Sequence, residues 1–233
     1  MMYPTFGAAF LPVDGAKVYH LSDIKVKNIT PDDVIQVLNG GDMMVLDGWF
    51  SYFGEEFAEG EESLVGWYDL QLGPVGDPDA KCDDREISVG QGFLGEIISG
   101  ITPEFTFAGE APTVPTSINT DGVIYPMVAS YIPRAIPLNW IVPAGITPDD
   151  EIQKLNGDNI MDLDGWFAYF GEEFADGEDS LVGWYDLMKG PVGDPDAKVG
   201  DDVLVQPGDA FLGNVWSEAD VEFQFPSSLK TLD

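Results

Sequence analysis

Apolar and polar positions alternate over short runs, and the helical repeat of 3.6 residues is sustained nowhere. The runs 43–46, 49–53 and 64–70 are rich in aromatic and aliphatic residues and predict strands. Asp47-Gly48, between the first two, predicts a hairpin turn. The segment 29–33 predicts a short connector, either one or two helical turns capped by Thr30 or a β-turn with Pro31. The pattern therefore predicts an all-β protein.

A long internal repeat organises these elements. Residues 29–81 return as residues 146–198 with 42 of 53 positions identical, and the likeness continues to the segments 104–105 and 222–223. A period of about 117 residues is too long for a solenoid unit. It predicts two tandem homologous domains, each a β-sandwich or barrel-like unit. We assign residues 1–110 to the first domain with its apolar N-terminal arm, 111–118 to a Pro/Thr linker, and 119–233 to the second domain.

Composition and net charge limit the classes of binding partner. The net charge of −32 disfavours nucleic acid and anionic membranes, while 44% apolar residues are enough for two cores. The longest apolar stretch, 123–144, contains Arg134 and four prolines, so no membrane insertion is expected. Residues 1–13 lack the basic region of a signal peptide. Cys82 is the single cysteine and excludes an intramolecular disulfide.

Repeated aspartates in a turn rich in Gly and Pro are candidate Ca²⁺ ligands, because hard cations prefer six to eight oxygen atoms. The alternative is a turn whose carboxylates cap backbone amides. The candidate metal ligands are Asp77, Asp79, Asp83, Asp84, Asp194, Asp196, Asp201 and Asp202.

Repeated aromatic residues beside an acidic loop could stack on sugar rings, although most rings in a β domain of this size belong to its core. The candidate ligand-binding residues are Trp49, Trp67, Tyr68, Trp166, Trp184 and Tyr185. Neither a Ser-His triad nor a His-based zinc site is expected, because His20 is the single histidine. We therefore predict that the chain is not an enzyme.

Two apolar features suggest assembly. The N-terminal arm carries Tyr3, Phe6 and Phe10 and is expected to add a strand to a sheet, its own or a neighbour's. Four apolar residues of the first copy are charged in the second copy, where Glu151, Lys154, Asp162 and Lys189 stand. They predict an exposed apolar patch on the first domain. These residues are Val34, Val37, Val45 and Leu72.

The motifs DEIQKLNG, DGWFAYFG, GWYDL and DDVLVQPGDAFLG, between residues 150 and 216, resemble tandem-domain all-β surface proteins of verrucomicrobial and lentisphaeral bacteria, which have no assigned activity. The resemblance implies export and an extracellular or cell-surface location.

From the residues themselves we predict a structural subunit of a filament, sheath or coat. It would form a homopolymer by N-terminal strand addition, with Ca²⁺ as a candidate stabilising ion. The alternative is a carbohydrate-binding or adhesin module with duplicated sites for a glycan.

Overall fold

A computed structural model describes residues 2, 5–7, 18–88, 90–107, 111, 113, 115–120, 122–159, 161–217 and 220–227. Over these residues the chain is all-β, as predicted, with short 3₁₀ turns and no α-helix, and no helix is long and apolar enough to cross a membrane. The 3₁₀ turns are Leu21–Asp23, Glu62–Leu64, Leu138–Trp140, Glu172–Phe174 and Asp179–Leu181. The strands are β1 (Thr5–Gly7), β2 (Val18–His20), β3 (Lys25–Lys27), β4 (Val34–Asn39), β5 (Asp42–Phe53), β6 (Gly66–Asp69), β7 (Glu86–Ser88), β8 (Gly92–Glu96), β9 (Glu104–Thr106), β10 (Thr116–Asn119), β11 (Met127–Ala129), β12 (Ile136–Pro137), β13 (Val142–Ala144), β14 (Glu151–Leu155), β15 (Leu163–Phe170), β16 (Gly183–Asp186), β17 (Leu204–Val205), β18 (Ala210–Asn214) and β19 (Glu222–Phe225).

The two halves of the chain contain five-stranded antiparallel sheets of the same strand order. The first sheet is β1-β8-β4-β5-β6 and the second is β11-β18-β14-β15-β16. Each pairs its strands in corresponding registers: Phe6 lies opposite Phe93 in the first, and Val128 lies opposite Phe211 in the second. Neither sheet closes on itself, which favours the sandwich over the barrel-like alternative.

Smaller sheets accompany each large one, and they differ in one strand. The first half has the pairs β2-β7 and β3-β9, whereas the second has β12-β17 and a three-stranded sheet ordered β10-β19-β13. β10 begins at Thr116, inside the segment 111–118 that the sequence assigned to a linker. That assignment was wrong for residues 116–118, because they pair with β19 more than 100 positions away, which local composition cannot reveal.

Each half has its own core, formed by side chains from its large sheet and its small sheets. In the first half Phe50 and Trp67 from the large sheet pack with Tyr19 and Ile87 from β2 and β7. The second half repeats this arrangement around Phe167, Trp184, Ile136 and Val205. Apolar and polar residues alternate along the strands, so the aromatic and aliphatic side chains of a strand share one face, and these faces form the cores.

A third, smaller apolar cluster joins the two halves. Leu94 from the first half packs with Leu155 and Leu212 from the second. Two backbone hydrogen bonds connect the halves in equivalent positions: Gly7 N donates to Gly208 O at 2.9 Å, and Ala129 N donates to Gly90 O at 2.8 Å. The halves are therefore related by an approximate two-fold axis, which lies near Gly7 and Ala129.

The connector at residues 29–33 is a β-turn, in which Asp33 N donates to Thr30 O at 2.9 Å. The buried Asp33 carboxylate accepts hydrogen bonds from Thr30 N, Ile98 N and Ser99 N at 2.8 to 2.9 Å. This carboxylate ties β4 to the end of β8, and Asp150 makes the equivalent bonds to Thr147 N and Ser217 N.

The predicted hairpin at Asp47-Gly48 is absent, because β5 runs through both residues and the hairpin turn falls at residues 40–41. Gly48 is needed for packing instead: a Cβ there would lie 2.2 Å from the ring of Phe50, two residues on and on the same face. Gly165 and Phe167 repeat the arrangement at 2.5 Å.

Candidate functional site

The eight candidate metal ligands do not come together. All lie in the described part of the chain, where no group of three or more His, Cys, Asp or Glu side chains could hold a metal ion. Asp77 and Asp194 accept hydrogen bonds from the backbone N–H groups two residues on, as in turns capped by aspartate. Asp83 accepts from Trp67 N at 2.8 Å and lies 3.5 Å from Lys81 Nζ.

Four of the six candidate ligand-binding aromatics are core residues. Trp67, Tyr68, Trp184 and Tyr185 are at most 1% exposed, so none offers a ring face to a sugar. The tyrosine hydroxyls donate to the backbone oxygens of Leu64 and Leu181 at 2.7 Å. Trp166 is half-buried, and Trp49 is 37% exposed at the surface of β5.

The predicted assembly residues separate into three groups. Phe6 belongs to β1 of its own sheet, where it stacks on Phe93 and Phe105 with ring centroids 5.5 and 4.3 Å away. Tyr3 and Phe10 lie outside the described residues.

Val34 and Val37 are buried, and only Val45 and Leu72 are exposed, so the four residues do not form one exposed patch. That prediction was wrong for the two buried valines. The second half has Lys154 at the position of Val37. Its half-buried ammonium group lies 2.8 Å from the Asp209 carboxylate, and this ion pair allows a charged residue at that position.

A groove of about 550 Å³ lies beside β9 on the surface of the described residues. It lies between the two halves of the chain, with an apolar floor formed by Phe6, Phe105 and Phe107. Its lining residues are Met2, Phe6, Gly7, Thr102, Pro103, Glu104, Phe105, Thr106, Phe107, Gly157, Asp158, Pro207 and Gly208. The groove follows one edge of β9, and β3 pairs with the other edge. Within the described ranges, no strand pairs with the groove edge.

The second half shows what occupies the equivalent place. β10 pairs there with β19 as an antiparallel strand, with Ile118 opposite Phe223. Ile118 also packs against the first half, since a Cβ at Gly90 would lie 2.2 Å from its Cδ1. Gly208 is the equivalent glycine of the second half. For a Cβ added at Gly208, the nearest atom among the described residues is the backbone oxygen of Gly7, 3.1 Å away. Among the described residues, no side chain takes the place beside Gly208 that Ile118 takes beside Gly90.

The groove edge of β9, unpaired among the described residues, presents backbone groups suited to another strand. In the second half Thr120 N donates to Val221 O at 3.0 Å, so Val221 directs its backbone groups towards β10. Alternate residues of a strand bond to the same side, which places the N–H and C=O groups of Phe223 and Phe225 on that side too. Their counterparts in the first half are Phe105 and Phe107. We infer that the backbone groups of these two residues face the groove.

Charges at the rim of the groove are of both signs. Glu104 is exposed and lies 3.9 Å from the Nζ of Lys27 on β3, and Asp158 is exposed on the opposite wall. Pro103 stands where the second half has Val221, so this end of the edge accepts a hydrogen bond without donating one. A strand added here would therefore bond mainly along residues 104–107.

Sequence reasoning did not identify the groove, because its walls come from four segments, which lie about 50 to 200 residues apart. One signal was available: Glu104-Phe105 and Phe107 return as Glu222-Phe223 and Phe225, which marks β9 and β19 as equivalent strands. No protein-family model matches the chain, and comparisons with curated proteins and with solved structures give no match.

Proposed function

We propose that the chain is a non-enzymatic structural subunit that assembles with copies of itself by strand addition at the groove edge of β9. The observation that carries the proposal is the difference between the halves. β19 has the partner strand β10, while the groove edge of the equivalent β9 has none among the described residues.

Strand addition suits this edge physically. An unpaired edge beside an apolar groove can bind an extended segment through its backbone hydrogen bonds and through alternate side chains in the groove. The contact would join unlike surfaces of two copies, and such heterologous contacts propagate into open chains wherever the rotation between copies does not close a ring. This is the geometry that a filament, sheath or coat requires.

β1 joins its own sheet, one of the two outcomes that the sequence allowed for the N-terminal arm, and we do not assign it as the donor; assembly by N-terminal strand addition stays a prediction. β1 is paired along its length with β8 of the same sheet, and the Phe6 ring is stacked in the core of its own half. The extracellular or surface location and a stabilising role for Ca²⁺ stay predictions. The glycan-binding alternative gains nothing from the site geometry, because most of its aromatic residues are buried.

A variant that fills the groove tests the proposal. Gly157 lines the groove, and no atom of a described residue lies within 4 Å of a Cβ added there. Gly157→Trp should therefore fold normally but obstruct the groove, and Gly157→Ala is the matched control. Sedimentation velocity should be run over a range of protein concentrations in 0.15 and 0.5 M salt, because copies of charge −32 repel one another until salt screens the charge.

We expect the parent chain and Gly157→Ala to form species heavier than 25.3 kDa as concentration rises, and Gly157→Trp to remain at 25.3 kDa. Thermal unfolding checks that the tryptophan variant is folded. A parent chain that stays monomeric under every condition would contradict the proposal, as would a folded tryptophan variant that assembles normally.

A further inference from the structure

The strand that lies on β19 shows which positions of an added strand would face the groove beside β9. Ile118 lies opposite Phe223 and packs against the core of the second half. Thr120, two residues on, is buried and bonded to Val221, while Asn119 between them is exposed. An occupant of the groove is therefore defined by two inward positions and the outward position between them.

The two inward positions have different surroundings in the groove. By equivalence, the position of Ile118 lies opposite Phe105 on the apolar floor. The position of Thr120 lies beside Pro103, which stands in place of Val221. In the second half the Thr120 hydroxyl accepts a hydrogen bond from Val221 N at 3.1 Å, but Pro103 has no N–H to donate. A hydroxyl buried at this position lacks that partner, so an aliphatic side chain fits better.

Charge distinguishes the outward position. Asn119 lies opposite Glu222, whose counterpart at the rim of the groove is the exposed Glu104. Asp158 adds a second exposed carboxylate on the opposite wall. Lys27, 3.9 Å from Glu104, balances only one of these two charges. A basic residue at the outward position therefore complements the rim, and an acidic residue is repelled.

We propose that the groove selects an extended segment, antiparallel to β9, with the pattern aliphatic–basic–aliphatic. The first aliphatic residue lies opposite Phe105, the basic residue opposite Glu104, and the second aliphatic residue beside Pro103. The inference rests on the proposed function in taking the groove edge of β9 as a strand acceptor, and it names the chemistry of the segment that this acceptor binds. The pattern differs from Ile-Asn-Thr at residues 118–120, so β9 and β19 select different strands.

Synthetic peptides based on residues 115–120, Pro-Thr-Ser-Ile-Asn-Thr, test the inward positions. The isotope-labelled full chain is titrated with each peptide below the concentration at which it assembles, and NMR follows the amides of Phe105 and Phe107. Thr120→Val in the peptide should tighten binding at least about 5-fold, because no hydroxyl is left unpaired. Adding Ile118→Ala to the valine peptide should weaken its binding about 10- to 100-fold.

The outward position is tested by opposite charges in the valine peptide. The peptide with Asn119→Lys should bind at least about 3-fold more tightly than the peptide with Asn119→Glu at 0.05 M salt. The difference should shrink in 0.5 M salt, because the rim charges are exposed and screened. With the Gly157→Trp chain, whose groove is obstructed, no peptide should shift the amides of Phe105 and Phe107.

The same threonine substitution in the chain itself is the matched control. Thr120→Val in the chain leaves the buried Val221 N–H without its acceptor, so it should lower the urea midpoint of unfolding. One substitution thus has opposite effects at the two equivalent edges. A lower affinity of the valine peptide than of the threonine peptide, or equal affinities, would overturn the inferred pattern.

The remaining outcomes separate this inference from the proposed function. Tighter binding of the glutamate peptide than of the lysine peptide would overturn the pattern but leave strand addition at β9 standing. Amides of Phe105 and Phe107 that no peptide shifts would overturn the inference, as would equal binding to the Gly157→Trp chain. A parent chain that binds the peptides with the expected selectivity, yet stays monomeric in sedimentation velocity under every condition, would contradict the proposed function alone.

Discussion

The two buried tryptophans of the repeat provide a matched test of the energetics. Trp184 Nε1 donates to Ile141 O at 2.8 Å, whereas Trp67 Nε1 is buried with no hydrogen-bond partner among the described residues. The rings are otherwise alike, since each packs edge-on against a tyrosine at 5.2 Å, Tyr169 and Tyr52 respectively. Substitution by Phe removes similar volume at both sites, so the difference between the two variants isolates the hydrogen bond.

Trp184→Phe leaves Ile141 O buried without its donor, which costs about 1–3 kcal/mol beyond the lost packing. Trp67→Phe loses the packing alone and removes an unsatisfied donor. We therefore expect Trp184→Phe to lower the free energy of unfolding by about 1–3 kcal/mol more than Trp67→Phe does. Urea unfolding followed by circular dichroism measures the difference, and hydrogen exchange reports on each half separately. Equal losses, or a larger loss for Trp67→Phe, would refute the reasoning.

Three further outcomes are expected. Burial alone would raise the pKa of Asp33, but hydrogen bonds to its carboxylate outweigh burial and hold the pKa below its usual value. The ionised carboxylate therefore stabilises the fold at neutral pH, and this stabilisation is lost as the pH falls through the lowered pKa. The gap in unfolding free energy between the parent and Asp33→Asn should shrink below about pH 4. Gly48→Ala should destabilise by about 1–3 kcal/mol because its Cβ meets the Phe50 ring, while Gly157→Ala in open space should be nearly neutral in urea unfolding. Burial, reinforced by nearby aspartates, raises the pKa of the Cys82 thiol to about 12, so at pH 8 it should react with iodoacetamide about 1,000-fold more slowly in the folded chain than in urea.

The all-β class follows from the sequence because strand alternation and turn residues are local signals. The Asp47-Gly48 turn was predicted wrongly for an equally physical reason. Asp-Gly is typical of hairpin turns, but a glycine also occurs within a strand where a neighbouring side chain leaves no room for a Cβ. Only the position of the Phe50 ring shows that Gly48 is of the second kind. Burial of Trp67 and Trp184 likewise depends on which face each strand turns inward, which residue type does not determine.

The groove depends on long-range pairing, and that is why sequence reasoning did not find it. β10 looks like a Pro/Thr linker until its partner β19 is known. Substitutions between the copies were also misleading, since Val37→Lys was taken to mark an exposed position. In the structure Lys154 stays half-buried at that position because Asp209 pairs with it. A pair of charges so far apart in sequence cannot be inferred from one copy.

Amide hydrogen exchange at β9 tests the central claim most directly. The measurement compares the parent chain, at a concentration where it assembles, with Gly157→Trp at the same concentration. The account predicts that the amides of Phe105 and Phe107 are strongly protected in the assembled parent chain but not in the tryptophan variant, while Thr106, which pairs with β3, exchanges alike in both. Equal exchange at Phe105 and Phe107 in the two chains, with the parent chain assembled, would contradict strand addition at this edge.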